Sequence, residues 1–145
     1  MTTCSTRSVF VLIAAVGLLA ACAPRTPSSP VSETFTTRLQ AVNDAVVGSS
    51  GYAKEAVEVT GNRVRLRIEI ADQTLAASDQ VARETKAIVM VAAAERALAT
   101  QSELAGIQAV SVAILHGSGG GSWHVEDVLE FRKGPNGSFS FHATS

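Results

Sequence analysis

The chain has 145 residues, with 12 Lys and Arg against 13 Asp and Glu, a formal net charge of −1, and 46% apolar residues. Charge this close to balance excludes the one-sided basic excess that a nucleic-acid partner wants. The apolar content excludes a disordered chain, and the length suits a single domain with its own core.

One basic residue, Arg7, precedes a mostly apolar run from Val9 to Ala21, the charge-then-hydrophobe layout of an export signal. That run closes on Leu19-Ala20-Ala21-Cys22. Up to Ala23, and no further, the chain resembles bacterial lipoproteins, in which a leucine, two small residues and a cysteine form the lipobox. The resemblance implies cleavage between Ala21 and Cys22, a diacylglyceryl group on the Cys22 thiol, and a mature protein anchored in membrane lipid of the bacterial cell envelope. Ala23, where an Asp would hold the protein back, implies the outer membrane facing the periplasm if the host is Gram-negative. Two other readings stand beside it. An uncleaved anchor needs roughly 20 apolar residues, more than the run supplies. Ordinary secretory cleavage after Ala21-Cys22-Ala23 would leave Pro24 directly behind the cut. With Cys4 removed and Cys22 acylated, no thiol pair is left for a disulfide, and the domain must hold by its core alone.

Three segments follow: a signal peptide over 1–21, the acylated cysteine and a Pro-rich tether over 22–31, and one globular domain over 32–145. The tether reads Ala-Pro-Arg-Thr-Pro-Ser-Ser-Pro from Ala23, which favours extended polyproline II at ~3.1 Å per residue, a lift on the order of 25 Å. From Ser32 the spacing turns helical. Phe35, Leu39, Val42 and Val46 form one stripe, with Arg38, Gln40, Asn43 and Asp44 on the other side, Ser32 as N-cap and Gly48 as stop.

Gly61-Asn62 lies between two alternating runs and reads as a two-residue type II′ turn. That register pairs Val59 with Val64, Val57 with Leu66, Glu58 with Arg65 and Lys54 with Glu69. Arg63, Arg65 and Arg67 make a basic stripe able to meet an anionic surface. With Glu58 and Glu69 across from it, the stripe reads as a solvated sheet face.

A long helix follows, capped by Asp72 or Ser78 and running to about Ala99 or Leu104. Its centre, Ala87 to Ala94, is apolar all round, so it should be covered by the sheet on one side and the first helix on another. The competing account makes the helix around Ile88 to Ala94 a homodimer surface. Ile107 to Leu115 reads as a central strand. Its small face (Ala109, Ser111, Ala113) would let the helix approach, with Val110, Val112 and Ile114 opposite. His116 to Ser122 reads as a flexible loop, and a strand from Trp123 to Phe131 follows. Pro135-Asn136-Gly137 makes a three-residue hairpin loop that pairs Phe131 with Phe141 and Glu130 with His142. Asp127 falls on the apolar face, at the sheet margin or buried with a partner.

Chemistry is confined to His116, His124, His142, Glu126, Asp127 and Glu130. His124-x-Glu126 puts two metal-ligand types on one strand face, but His142, paired with Glu130, is too far away to complete a site, and each histidine reads as a surface or sheet-edge residue. No nucleophile elbow and no catalytic grouping is present. The expected fold is α+β: an N-terminal helix, then β-β-α-β-β-β, with a mainly antiparallel sheet packed on one face by the long helix. The expected function is a non-enzymatic envelope lipoprotein, without cofactor, that holds a protein partner near the membrane. The alternative is a periplasmic carrier of a small apolar ligand, which needs a cavity of ~300 Å³ or more lined by Ile88, Val91, Val110 and Val112.

Overall fold

The computed structural model describes residues 30–118 and 121–142; the signal, the cleavage site, Cys22 and the tether as far as Ser29 lie outside the described residues. In chain order the elements are α1 (Pro30–Ser50), β1 (Val57–Gly61), β2 (Arg65–Ala71), α2 (Gln73–Ala76), α3 (Gln80–Leu98), β3 (Ala109–Ser118), β4 (Ser122–Lys133) and β5 (Phe139–His142). The fold is α+β. Its five strands lie in the order β1-β2-β3-β4-β5, with β2 and β3 parallel and the other three ladders antiparallel. A parallel pair needs a long crossover, and α3 supplies it.

The core lies between one face of the sheet and the two long helices. Leu66, Ile68, Ile70, Val110, Val112, Ile114, Leu129 and Phe131 meet Ala87, Met90, Val91, Ala93, Ala94 and Leu98 of α3, and Val42 and Val46 of α1, in a single cluster. Each large side chain withdrawn from water in this way contributes ~1.5–3 kcal/mol. The small residues that permit close approach are the alanines of α3. The small face of β3, Ala109, Ser111 and Ala113, alternates with the core residues and therefore points to the open side of the sheet, contrary to expectation. Covered by the sheet and by α1, α3 still leaves a third side bare: Val81, Ile88 and Val89 are 71%, 53% and 43% exposed.

Asn43 does not share the solvent face expected of it. It is buried, and its Oδ1 accepts the Val59 N–H at 3.1 Å, so α1 satisfies a donor that an edge strand would otherwise leave unpaired. The α1 helix also runs past Gly48 and ends before Gly51, whose φ of 75° ends it in the left-handed region.

The first hairpin differs in register from its expected form. Val57 pairs with Ile70, Glu58 with Glu69, Val59 with Ile68 and Gly61 with Leu66. Asn62 is the cause. Its Oδ1 accepts the N–H groups of Val64 and Arg65 at 2.9 and 2.8 Å, while its own N–H donates to the Arg65 carbonyl at 2.8 Å. The side chain thus builds a longer loop than two residues. Gly61 is needed for proximity, since a Cβ there would lie 2.6 Å from the Arg65 carbonyl oxygen. An even slip leaves Val57 and Val59 on the core side, so the core tolerates either register. The last hairpin pairs as expected: Phe131 faces Phe141 with ring centroids 5.5 Å apart, Glu130 faces His142, and Gly137 takes φ 87°.

Candidate functional site

Two opposite ends of the domain differ in construction. β2 and β3 start together at Arg65 and Ala109, and β2 ends at Ala71 opposite Leu115. Past that point only β3 and β4 continue, from Leu115 to Ser118 and from Ser122 to Val125, as a two-stranded arm. The first turns of α1 lie at the other end. There Thr34 and Phe35 border an open groove of ≈ 320 Å³ with Arg63 and Glu103, and Arg38 Nε faces Glu103 Oε2 at 3.7 Å.

The arm is tied down at its base. Asp72 caps α2 by accepting the N–H groups of Thr74 and Leu75 at 2.8 and 3.0 Å, and Asp79 caps α3 by accepting that of Ala82 at 2.8 Å. The expected single long helix is therefore two, and Ser78 closes α2 instead of opening α3, with its hydroxyl donating to the Leu75 carbonyl at 2.6 Å. Tyr52 donates to Asp72 at 2.6 Å, and Lys86 lies 4.6 Å above the Tyr52 ring. Burial first, then the hydrogen bond to Asp72 and its charge, hold the Tyr52 phenol well above its ordinary pKa. Burial also works upward on Asp72. The bonds from Tyr52, Leu75 and Thr74 and the Lys86 charge outweigh it and hold this carboxyl below its usual range. Next along, the Gln73 side-chain carbonyl accepts the Gly117 N–H at 3.0 Å.

A bulge in β4 marks where the arm begins. Ile114 pairs with Asp127 but Leu115 with Val125, leaving Glu126 as the extra residue. Asp127 has a partner: Arg83 Nε donates to its Oδ2 at 3.0 Å, with the two side chains 20% and 28% exposed. The same guanidinium donates to the Ser78 carbonyl at 2.6 Å, gathering the end of α2, the start of α3 and the bulge around one cation. Beside it an open groove of ≈ 350 Å³ is lined by Gln80, Arg83, Glu126, Asp127 and Phe141, among others.

Beyond the bulge the arm has two unlike faces. Leu115 pairs with Val125 and Gly117 with Trp123, and both Trp123 and Val125 are 50% exposed. The Trp123 ring lies across Gly117, where a Cβ would come within 3.3 Å of it. On the opposite face His116 pairs with His124 and Ser118 with Ser122, with Ser118 Oγ 3.3 Å from His124 Nε2. The expected loop from His116 to Ser122 is thus largely strand.

The residues singled out from the sequence fall in separate places. Arg63 sits in the first hairpin loop, while Arg65 and Arg67 lie on the open sheet face, where Arg67 Nε donates to Glu69 Oε1 at 2.6 Å. That face interleaves acids with bases. The bulge interrupts the alternation between His124 and Glu126 and leaves Glu126 without a cross-strand partner. Among the described residues no group of three or more His, Cys, Asp or Glu side chains is placed to hold a metal. No helix among them is long and apolar enough to cross a membrane. No family model, curated protein or solved structure matches the chain. The carrier reading has no observation behind it: Val91, Val110 and Val112 are packed in the core, and Ile88 faces outward. The arm therefore stands as the candidate site.

Proposed function

We propose that the chain is a non-enzymatic lipoprotein of the bacterial envelope, anchored through acylated Cys22, whose N-terminal helix and β-β-α-β-β-β domain present the β3–β4 arm to a protein partner. The observation that carries this reading is the exposure of Trp123 and Val125 at the end of the domain opposite the start of α1. Half-exposed aromatic and branched side chains on a projecting element are what interface cores are made of. At ~3.3 Å per residue, β3 reaches roughly 30 Å from Ala109 to Ser118, away from the end where the tether joins. Added to a tether on the order of 25 Å, the arm tip would stand about 55 Å from the lipid.

Two experiments test the proposal. Cys22→Ser should move the protein from the membrane fraction to the soluble fraction, and unchanged membrane retention would refute the anchor. A photo-crosslinking side chain at position 123 in intact cells should capture a second protein, while one at Val64, exposed on the first hairpin loop, should not. Equal capture at both positions, or none at 123, would sink the docking role. Capture of a second copy of the chain would replace the partner with self-association through the arm.

A further inference from the structure

We infer that His116 and His124 form a two-histidine clamp for one divalent transition-metal ion of the Zn²⁺ and Cu²⁺ class, with water completing its coordination. The two residues are a direct cross-strand pair, and such pairs share a face with Cβ atoms about 4.5–5.5 Å apart. An ion bound to two imidazole nitrogens at ~2.0–2.1 Å needs those nitrogens roughly 3 Å from each other, within reach of rings on such a pair. The His124 ring already turns its Nε2 across the ladder, to 3.3 Å from Ser118 Oγ, on the face that carries His116. Imidazole is a donor that suits Zn²⁺, Ni²⁺ and Cu²⁺, and leaves Mg²⁺ and Ca²⁺ to oxygen-rich sites.

The backbone fixes the donors in advance. Gly117 is held by the Gln73 side chain and lies beneath the Trp123 ring, so the ladder between the two histidines is braced on its other face. Glu126 is left out because the bulge makes it the unpaired residue, and His142 of β5 pairs with Glu130, six residues along β4 from His124. Two protein donors make an open site, as in metal centres that keep positions for water. The Ser118 hydroxyl, which donates to the Ser122 carbonyl at 3.2 Å, lies beside the clamp, where its oxygen can accept a hydrogen bond from a metal-bound water.

Calorimetry with Zn²⁺ tests this on the untagged full chain in detergent, carrying Cys4→Ser and Cys22→Ser so that no thiol competes. One ion should bind per chain, and His116→Ala or His124→Ala should each weaken binding about tenfold or more, since losses of that size follow even from disturbing residues behind a ligand. Glu126→Gln and His142→Ala should leave it unchanged. Cu²⁺ should bind more tightly than Zn²⁺ and should quench the fluorescence of Trp123, the single tryptophan, which neighbours the clamp in sequence. His116→Asn and His124→Asn preserve polarity and approximate size, and must give the same loss with an unchanged far-UV circular dichroism spectrum. Affinity unaltered in either histidine variant, or an isotherm no different from that of a chain carrying both His116→Ala and His124→Ala, overturns the clamp.

Discussion

The β3–β4 ladder is one continuous pairing with two kinds of support. From Ala109 to Ile114 its residues alternate between a core covered by α1 and α3 and an open face, and the covered ones are at most 1% exposed. From His116 to Ser118 the same strand pairs with β4 alone, and its residues are half-buried or exposed. The hydrogen-bond pattern is common to both halves, so the ladder itself does not make the core half stable. Cover does, through buried apolar area, and the uncovered half keeps its surface available for binding.

The largest test of that contrast is a pair of aromatic truncations. Phe131→Ala in the covered half should cost about 3–5 kcal/mol in urea unfolding, against under about 1 kcal/mol for Trp123→Ala, a half-exposed change outside the core. Similar losses would mean that the arm is part of the core. Asp127→Ala probes the joint between the halves. It leaves Arg83 short of its carboxylate at a partly buried site and should cost about 1–3 kcal/mol.

The pH dependence of the base comes next. Asp72 has a depressed pKa, so its contribution is present above the unfolded carboxylate value of about 3.9 and is lost as pH falls through the lower folded value. Tyr52 has a raised pKa, so its contribution is present below the unfolded phenol value of about 10 and is lost as pH rises beyond it. Asp72→Asn keeps a capping side chain. Its urea midpoint should therefore fall less than that of the wild type between pH 5 and acid, and Tyr52→Phe should flatten the alkaline limb. Parallel curves for wild type and variant would show that neither group matters there.

The smallest effect sharpens the contrast most. Because the only tryptophan lies in the arm, its fluorescence should change at lower urea than far-UV circular dichroism, which reports the helices and the five-stranded sheet. Coincident curves would make the arm and core one cooperative unit.

Local chemistry was legible wherever it acts on neighbours in sequence. The stripe of Phe35, Leu39, Val42 and Val46 marks the buried side of α1. Pro135-Asn136-Gly137 fixes the last hairpin because a three-residue loop leaves one register. Asp72 was visible as a cap; the break before Asp79, where Arg83 also collects carbonyls from the end of α2, was not. The first hairpin could not be read from pattern alone. Both registers put valines on the core side, and the choice fell to hydrogen bonds made by one side chain, Asn62.

By itself, then, the sequence determined periodicity, the Asp72 cap and the last hairpin turn, because these are interactions between residues close along the chain. It also carries Leu19-Ala20-Ala21-Cys22, adjacent residues that resemble a lipobox. Only the tertiary structure decided which face of β3 meets the helices, where β2 stops while β3 continues, and that Glu126 falls in a bulge while the ladder brings His116 opposite His124. Those outcomes depend on contacts between segments distant in sequence, and no local pattern encodes which of two faces another element will cover.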